Sequence, residues 1–412
     1  MIPSVEIWTC LDQGGNDSLV GIARFALRRS ALSTTFQYEQ SYLSMPNAYA
    51  LQPDMPLRST PYHFSGLPGA LRDSAPDRWG RRIVLRERAE HAAALGVSPH
   101  SLDDADFLLG VSDVVRQGAL RFKAPGESQY LSPTGAVPPL IQLPRLLAAS
   151  KTVGAESAHE SLKELLDAGS NSLGGARPKA AVTDMDKLYI AKFPHAADNW
   201  DVMAWEKTAL DLAYRAKIAV PACRLIRLGQ ESCLLSERFD RVGTNRIPYL
   251  SAMSVMGLTD GSQSDYAEIG EAMEELVGDV SRQLEALFRR VVFSIAVHNT
   301  DDHLRNHGFI RHASRWTLSP MFDVNPEPSL ERERATSVYG EVGDGEARSA
   351  QDLAAAFGLS EGKASSIVGE VLHSMSSWEK TARANGCPEA ELHMFRPMFQ
   401  NRFQALASSF AL

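Results

Sequence analysis

The segment 298–306, HNTDDHLRN, constrains the fold and chemistry of this 412-residue chain more than any other stretch. Within it, four residues separate Asp301 from Asn306, and Asp323 follows in the segment SPMFDVNP. A carboxylate can orient a hydroxyl group, while a carboxamide at this spacing and a later carboxylate can hold a metal ion. The pattern therefore predicts a catalytic loop flanked by a helix and strands.

The same spacing, D-x-x-x-x-N, is that of the catalytic loop of protein kinases, and it distinguishes two neighbouring acids. Five residues after Asp302 stands His307 rather than an amide, so Asp301 is the better candidate for the catalytic base. Asn306 and Asp323 are the candidate magnesium ligands, because Mg²⁺ is a hard ion that takes few protein oxygens beside phosphate. The order of these parts is that of a phosphotransferase.

Composition and charge narrow the class of protein. The formal net charge of −8 argues against a general nucleic-acid-binding face. The arginine-rich segment 72–88 is interpreted as a solvated helix face, with a local basic patch as the alternative. None of the four cysteines forms a C-x-x-C pair, as expected for reduced thiols. The N-terminus lacks the features of a signal peptide, and the apolar run 291–297 is too short for a membrane span. We therefore expect a cytoplasmic protein that has no membrane contact.

The order of predicted elements indicates regions of different structure. Up to about residue 65 the sequence predicts short strands, VEIWTC, LVGIARFAL and TTFQYEQSYL, and residues 70–97 are predicted to be helical. The Pro/Gly/Ser-rich segment 123–139 is typical of a linker. Further helices are predicted over 139–150, 158–168, 199–217, 281–297, 350–358, 360–383 and 388–409, and hairpins over 223–240 and 307–320.

A glycine-containing loop precedes a strand with a lysine and a helix with a glutamate. The loop 169–180, GSNSLGGARPKA, leads to the strand 188–194 with Lys192, and the helix 199–217 carries Glu206. Lys192 can neutralise nucleotide phosphates while Glu206 holds the lysine in place. The glycines allow backbone N–H groups to approach a phosphate. The loop matches neither the Walker A nor the G-x-G-x-x-G pattern, however, and a plain structural turn is the alternative.

Two other motifs suggest different chemistry. His298, His303 and His307, interleaved with acidic residues, suggest a metallohydrolase site, but the stretch is predicted to be a loop that runs into a strand rather than one helix face. The segment 358–362, GLSEG, matches the serine-hydrolase elbow G-x-S-x-G. It follows an alanine-rich helix instead of a strand, so Ser360 is interpreted as the N-cap of the next helix.

Four motifs in this order, GGARPKA, AKFP, SERFDR and NTDDHLRNHGF, resemble the kinase core of the HipA family of bacterial serine/threonine kinases, the toxins of HipBA-type toxin–antitoxin modules. The segments FQYEQSYLSMPNAYALQPDMPL and SAPDRWGRRI resemble the N-terminal subdomain of that family. The resemblance spans nearly the whole chain. It implies an α+β, two-lobed protein-kinase-like fold: a small β-rich N-terminal subdomain (1–125), an N-lobe-like region with the Gly-rich loop (140–245) and a mostly helical catalytic C-lobe (246–412).

The resemblance also implies roles for the matching residues. It agrees with the base and magnesium assignments above and makes Lys192 the lysine that binds the phosphates of ATP. Ser172 matches the serine whose autophosphorylation ejects the loop and switches the kinase off, and Ser170 is a second candidate phosphosite. Glu237 and Phe239 match the segment that meets the adenine. The other candidate nucleotide-binding residues are Lys179, Gly174, Gly175, Glu206 and His303.

Toxins of this family act on aminoacyl-tRNA synthetases and pair with a helix-turn-helix antitoxin of HipB type, so the resemblance implies these partners, with DNA reached only through the antitoxin. Two departures leave the protein substrate open: GGARPK replaces the GAQEK form, and Phe322 stands where tyrosine is common. The leading hypothesis is an ATP- and Mg²⁺-dependent protein serine/threonine kinase. The alternatives are a catalytically inactive kinase-like module that binds an antitoxin–DNA complex, and a small-molecule kinase. The complete set of Lys192, Asp301, Asn306 and Asp323 favours a catalyst.

Overall fold

In a computed structural model of the chain, the described residues are 3–11, 16–29, 31–98, 101–132, 137–152, 165, 168–169, 177–312 and 314–412. The chain divides into two units. The first contains Met1–Ala196 and Leu235–Leu250, and the second contains Ala197–Leu234 and Ser251–Leu412. Each unit is therefore built from segments that are distant in sequence.

The first unit begins with a five-stranded antiparallel sheet. Its strands are β1 (Ser4–Cys10), β2 (Asp17–Arg28), β3 (Ala31–Tyr38), β4 (Tyr62–Ser65) and β5 (Arg121–Lys123), in the order β4-β3-β2-β1-β5. Alternate residues of β1, among them Val5 and Ile7, are buried, as a period of two requires. The predicted strands are confirmed, but the end of the third, QSYL, is a short helix, α1 (Gln40–Leu43). This turn buries Tyr42, whose hydroxyl donates to the Tyr49 carbonyl (2.9 Å).

The first unit continues with short and long helices. These are α2 (Gly69–Arg72), α3 (Arg78–Ala94), α4 (Asp104–Gly110) and α5 (Leu143–Thr152). The prediction of one helix over 70–97 is wrong, because the helical conformation is interrupted between α2 and α3. Pro76 has no backbone N–H to donate, and Asp77 Oδ1 accepts a hydrogen bond from the Gly80 N–H (3.4 Å), which starts a new helix. The helix predicted over 158–168 lies largely outside the described residues.

Two lysine-bearing strands of the first unit form a hairpin. They are β6 (Lys179–Asp184) and β7 (Lys187–Lys192), paired antiparallel. The turn residues Met185 and Asp186 have positive φ angles of 46° and 65°, which suit the twist of a two-residue hairpin turn.

The next strands in the chain are β8 (Cys223–Leu228), β9 (Glu231–Glu237), β10 (Arg241–Val242), β11 (Asn245–Arg246) and β12 (Tyr249–Ser251). β8 and β9 are neighbours joined at Gly229, which confirms the predicted hairpin.

The second unit is mostly helical. Its helices are α6 (Val202–Arg215), α7 (Ala252–Val255), α8 (Tyr266–Glu274), α9 (Val280–Ala296), α10 (Glu346–Ala356), α11 (Glu361–Met375), α12 (Trp378–Ala384) and α13 (Glu389–Ser409). The helix predicted over 360–383 is interrupted between α11 and α12. There, Ser376 Oγ donates to the His373 carbonyl (2.7 Å) and Ser377 Oγ to the Ser374 carbonyl (3.3 Å), and such local bonds compete with the helical ladder.

Helix α9 forms the centre of the second unit and leads to the loop that the sequence singled out. Every residue from Leu287 to Ala296 is buried, so the helix is surrounded by protein. The helix ends before His298, which has a positive φ of 50°. This agrees with the helix predicted over 281–297.

Short strands complete the second unit. They are β13 (Ser264–Asp265), β14 (Gly308–His312), β15 (Arg315–Leu318) and β16 (Thr336–Ser337). β14 and β15 form the antiparallel hairpin predicted over 307–320, and β13 pairs in parallel with β16. Within the described ranges, none of the helices combines the length and the apolar character needed to cross a membrane.

Candidate active site

The loop after α9 begins with a histidine that is held on both ring nitrogens. His298 Nδ1 lies 2.9 Å from the Glu327 carbonyl, and Arg402 Nη2 donates to His298 Nε2 (3.2 Å). Nδ1 therefore carries the proton and the ring is neutral. Burial lowers the pKa of His298, and the nearby Arg402 charge adds to this effect. This residue anchors the start of the loop.

Asp302 is buried and fully engaged by its surroundings. Its carboxylate accepts hydrogen bonds from the Tyr266 hydroxyl, from Ser294 Oγ (2.6 Å) and from Arg334 Nη1 (3.4 Å). His307 Nε2 lies 3.0 Å from its other oxygen. Burial by itself raises the pKa of Asp302, but His307 and Arg334 outweigh it and hold the pKa far below its ordinary value. Asp302 is thus a structural anion inside the second unit.

Asp301, one residue earlier, has the opposite environment. It is exposed, and its backbone carbonyl accepts a hydrogen bond from Asn306 Nδ2 (3.0 Å). Among the residues that the structure describes, none donates a hydrogen bond to its carboxylate. Although the residue reaches the surface, the surrounding protein shields its carboxyl group in part from water and so raises its pKa; the charge of His303 opposes that rise, and the negative charges of Asp323 and Asp302 add to it. Asp301 therefore has an exposed carboxylate whose basicity is raised.

The candidate magnesium ligands lie on either side of the β14–β15 hairpin in sequence. Asn306 ends a 3₁₀ turn, Leu304–Asn306, and is buried. Asp323 has a φ of 58°, a left-handed conformation that is uncommon for residues other than glycine although aspartate adopts it more readily than most, and its Oδ1 accepts from Asn325 Nδ2 (3.4 Å). Strained backbone of this kind clusters at functional sites.

The donor set fits a hard cation. The Asp301 and Asp323 carboxylates raise each other's electrostatic energy, and a divalent ion would relieve this repulsion. Two residues that are close to these aspartates in sequence have a buried polar atom without a hydrogen-bond partner within the described part of the chain, namely His303 Nδ1 and Asn325 Oδ1. Carboxylate and amide oxygens of this kind suit Mg²⁺, with Asn306 supplying a further amide.

The candidate phosphate-binding lysines belong to the first unit. Lys179 and Lys192 lie directly opposite each other in the β6–β7 pair, and they are 3% and 9% exposed. Two cations held this close are suited to an anionic ligand. Glu206, on α6 of the second unit, is 2% exposed. The predicted Lys192–Glu206 pair would join the two units and stays a prediction.

The other predicted nucleotide-binding residues are divided between described and undescribed parts of the chain. Glu237 is half-buried and accepts from Lys187 Nζ (2.9 Å), and the Phe239 ring lies 6.2 Å from the ring of Tyr249. The predicted phosphosites and loop glycines, Ser170, Ser172, Gly174 and Gly175, lie outside the described residues.

The two alternative motifs are explained by structure. His298 contacts Glu327 and Arg402, whereas His307 faces Asp302, so these two histidines serve separate partners rather than one ion. The predicted N-cap is confirmed: the Ser360 hydroxyl accepts a hydrogen bond from the Lys363 N–H (3.3 Å) at the start of α11.

One feature of the site was missed from the sequence, namely the arginine that joins Asp302 to Glu346. Arg334 is fully buried and contacts Asp302 Oδ2 (3.4 Å) and Glu346 Oε2 (3.2 Å). It lies in the charged run ERERA, which is typical of an exposed segment. Because its partners are distant in sequence, no local spacing identifies it.

Comparisons with known proteins agree along the chain. The sequence profile of the HipA N-terminal domain matches residues 16–121, and that of the HipA-like C-terminal domain matches 171–378. No curated protein sequence matched.

Among solved structures, HipA from Shewanella oneidensis MR-1, in its complex with HipB and operator DNA, superposes with a TM-score of 0.69 at 14% identity. The match covers 99% of this chain and 98% of that one. The Helicobacter pylori proinflammatory kinase CtkA (TM-score 0.41, 12% identity, 56% of this chain and 92% of that chain) and the Streptococcus pneumoniae choline kinase LicA (0.23, 13%, 58% and 92%) are more distant.

Since both latter scores are below 0.5, the fold assignment rests on the Shewanella structure and on the two profiles. The predicted fold class, an α+β kinase-like fold with a β-rich N-terminal part and a mostly helical C-terminal part, is confirmed. This chain belongs to the HipA family.

Proposed function

We propose that the protein is an ATP- and Mg²⁺-dependent serine/threonine protein kinase that acts as the toxin of a toxin–antitoxin pair in the cytoplasm. One observation carries the proposal: two adjacent aspartates of one loop have opposite environments. Asp302 is buried among fixed donors, while Asp301 is exposed and has a raised pKa beside Asp323. A loop built only for stability has no reason to keep the second carboxylate in an unfavourable electrostatic position.

In the proposed reaction, Asp301 Oδ orients the attacking hydroxyl and takes its proton as phosphate is transferred. Asn306 and Asp323 would hold Mg²⁺, which when bound neutralises phosphate charge. The raised pKa of Asp301 makes its carboxylate a better proton acceptor than an ordinary aspartate.

Residues of the first unit are proposed to bind the nucleotide. Lys179 and Lys192, opposite each other on β6 and β7, supply positive charge for the phosphates, and Glu206 is proposed to orient Lys192. Glu237 and Phe239 are proposed to meet the adenine. His303, whose Nδ1 lacks a described partner, is a candidate donor to a phosphate oxygen. The loop glycines Gly174 and Gly175 complete this proposed set.

Partners and regulation follow from the family. The Shewanella HipA structure contains HipB and operator DNA, which supports a HipB-type helix-turn-helix antitoxin as partner, with DNA reached through it. An aminoacyl-tRNA synthetase is the proposed protein substrate. Ser172 and Ser170 are close in sequence to Arg177 and Lys179, so phosphorylation of either serine, with about −2 charge, is proposed to compete with the nucleotide phosphates for those cations. The division into regions 1–125, 140–245 and 246–412 remains part of this proposal.

The test of the function is transfer of labelled phosphate from ATP. The purified protein is incubated with Mg²⁺, labelled ATP and cell lysate, and the labelled protein is identified by mass spectrometry. We expect a single dominant labelled protein, lost on chelation of Mg²⁺ and retained by the surface variant Asp352→Asn. Activity that persists in excess chelator, or that follows added zinc, would refute the kinase proposal.

Intact-mass measurement tests the proposed autophosphorylation. We expect a fraction of the wild-type molecules to carry phosphate, and we expect the Asp301→Asn protein to carry no phosphate. Ser172→Ala and Ser170→Ala identify the modified residue. Phosphate on Asp301→Asn at the wild-type level would mean that another kinase installs it.

A further inference from the structure

Three consecutive residues each donate a hydrogen bond to a backbone carbonyl of the loop that carries Asp301. The bonds run from Arg334 Nη1 to Asn299 O (3.0 Å), from Ala335 N to Thr300 O (2.9 Å) and from Thr336 Oγ1 to Asp302 O (2.6 Å). We call residues 334–336 the loop clamp. The carbonyls that it binds lie on both sides of Asp301, so the backbone is fixed before and after that residue.

The clamp is itself held rigidly. Arg334 is fully buried, and its guanidinium also contacts Ser294 Oγ (2.8 Å) at the end of α9 and Glu346 Oε2 (3.2 Å) at the start of α10. Thr336 is 1% exposed and lies in β16, where it pairs with Ser264 of β13. A planar guanidinium that contacts fixed partners on several sides is restricted in its orientation. The clamp therefore connects the loop backbone to α9, α10 and β13 through these contacts.

Asp301 depends on this support because its own carboxylate forms no hydrogen bond within the described residues. Within the described residues, the position of the carboxylate therefore depends on the loop backbone and on the torsions of the side chain itself, and the Asn306 bond to the Asp301 carbonyl helps to hold that backbone. Reacting groups must be held to within a fraction of an ångström, and a displacement of about 1 Å costs on the order of 100-fold in rate.

We propose that the loop clamp is a positioning device for Asp301, in which Arg334 and Thr336 fix the loop backbone so that the carboxylate meets the substrate hydroxyl. The inference rests on the proposed role of Asp301 as base. Neither clamp side chain is proposed to touch substrate, nucleotide or metal. Both act through the carbonyls of the loop.

The matched pair Thr336→Val and Thr336→Ser tests the clamp. Valine keeps the shape of threonine but removes the donor to Asp302 O, whereas serine keeps the donor. We expect Thr336→Val to lower kcat about 10- to 100-fold with an unchanged KM for ATP. Hydrogen–deuterium exchange in peptides covering 297–306 should become about fivefold faster, the effect of losing one hydrogen bond. Thr336→Ser should restore both values.

Each outcome decides a separate point. If hydrogen–deuterium exchange in Thr336→Val is unchanged, the clamp does not order the loop backbone. If exchange is faster but kcat equals that of wild type, the clamp orders the loop but does not position Asp301 for the reaction. If wild type transfers no more phosphate than Asp301→Asn, the proposed function fails, while the exchange measurement still decides whether the clamp orders the loop. If Thr336→Val does not fold, Arg334→Lys, which keeps the charge but cannot contact all the partners, is measured in the same way with the same expectations.

Discussion

The two units each contain a buried charge network, and the networks are built in opposite ways. In the first unit, one carboxylate pairs with two arginines. Asp240 accepts hydrogen bonds from Arg238 Nε (2.6 Å), from Arg241 Nη1 (3.0 Å) and from the Gly118 N–H (2.8 Å). In the second unit, one arginine pairs with two carboxylates. Arg334 contacts Asp302 and Glu346 and also donates to a carbonyl of the loop.

The difference lies in what each network holds. Asp240 joins two parts of the first unit that are distant in sequence, and Arg238 Nη1 adds a bond to the Val115 carbonyl (2.9 Å). The network around Arg334 fixes the loop of Asp301 instead. A buried ion network is therefore not in itself a sign of function. Its relation to an exposed, electrostatically perturbed group is the informative part.

The largest effect is expected from removing one charge of each network. Asp240→Asn and Asp302→Asn each leave buried cations without their carboxylate, so each should lose about 3–5 kcal/mol of unfolding free energy. Urea denaturation at pH 7 measures this loss. Per folded molecule, only Asp302→Asn should also lower phosphotransfer.

The exposed Asp352→Asn is the control, with an expected change within about 0.5 kcal/mol. Equal loss of activity per folded molecule in Asp240→Asn and Asp302→Asn would remove the distinction between the two networks.

A smaller effect is expected from the candidate metal ligands. Asp323→Ala and Asn306→Ala each remove an oxygen from a site with few protein ligands, and the affinity for Mg²⁺ in the presence of ATP should fall at least about tenfold. Titration of ATP binding against Mg²⁺ by calorimetry gives the value. Wild-type Mg²⁺ dependence in both variants would exclude these residues as ligands.

The first network also predicts a dependence of stability on pH. Burial raises the pKa of Asp240, but Arg238 and Arg241 outweigh it and keep the pKa far below the ordinary value of an aspartate. The folded state therefore binds this proton less readily than the unfolded state. The stabilisation is complete above the unfolded pKa of about 4 and is lost as pH falls. Between pH 5 and pH 3, wild type should lose about 1.3 kcal/mol more than Asp240→Asn. Urea denaturation of both proteins at pH 5 and pH 3 measures this difference. An equal loss of unfolding free energy in wild type and in Asp240→Asn would contradict the prediction.

The smallest effect is expected at Ser360, which lies in the motif that imitates a serine hydrolase. Ser360→Ala removes the N-cap of α11 and should cost about 1 kcal/mol of stability without a change in phosphotransfer. Thermal unfolding and the labelled-ATP assay measure the two quantities. Loss of a hydrolytic activity in this variant would instead support a nucleophilic serine.

The sequence predicted those features that depend on local spacing. The α9 helix, the β14–β15 hairpin and the N-cap role of Ser360 follow from periodicity and capping chemistry, and each is present in the structure. The position of Asn306 predicts different roles for the two neighbouring acids; the structure exposes Asp301 and buries Asp302, while the catalytic role of Asp301 stays a prediction.

Other features depend on tertiary contacts and could not be predicted in this way. Arg334 lies in a run of charged residues, and its bond to Ser294 spans 40 residues of sequence. The break at Ser376 depends on side-chain bonds to carbonyls, which helical periodicity does not encode. The helix at QSYL forms because Tyr42 is buried against the first sheet of the unit, although its residues continue a strand pattern.

The central claim is that Asp301 performs the chemistry while Asp302 supports the loop. The most direct measurement compares the rate of phosphate transfer from ATP by wild type and by Asp301→Asn, with ATP affinity and unfolding free energy measured on the same samples. We expect a rate about 100- to 10,000-fold lower in Asp301→Asn, with ATP affinity and stability unchanged. A wild-type rate in Asp301→Asn, combined with an inactive but folded Asp302→Asn, would contradict it.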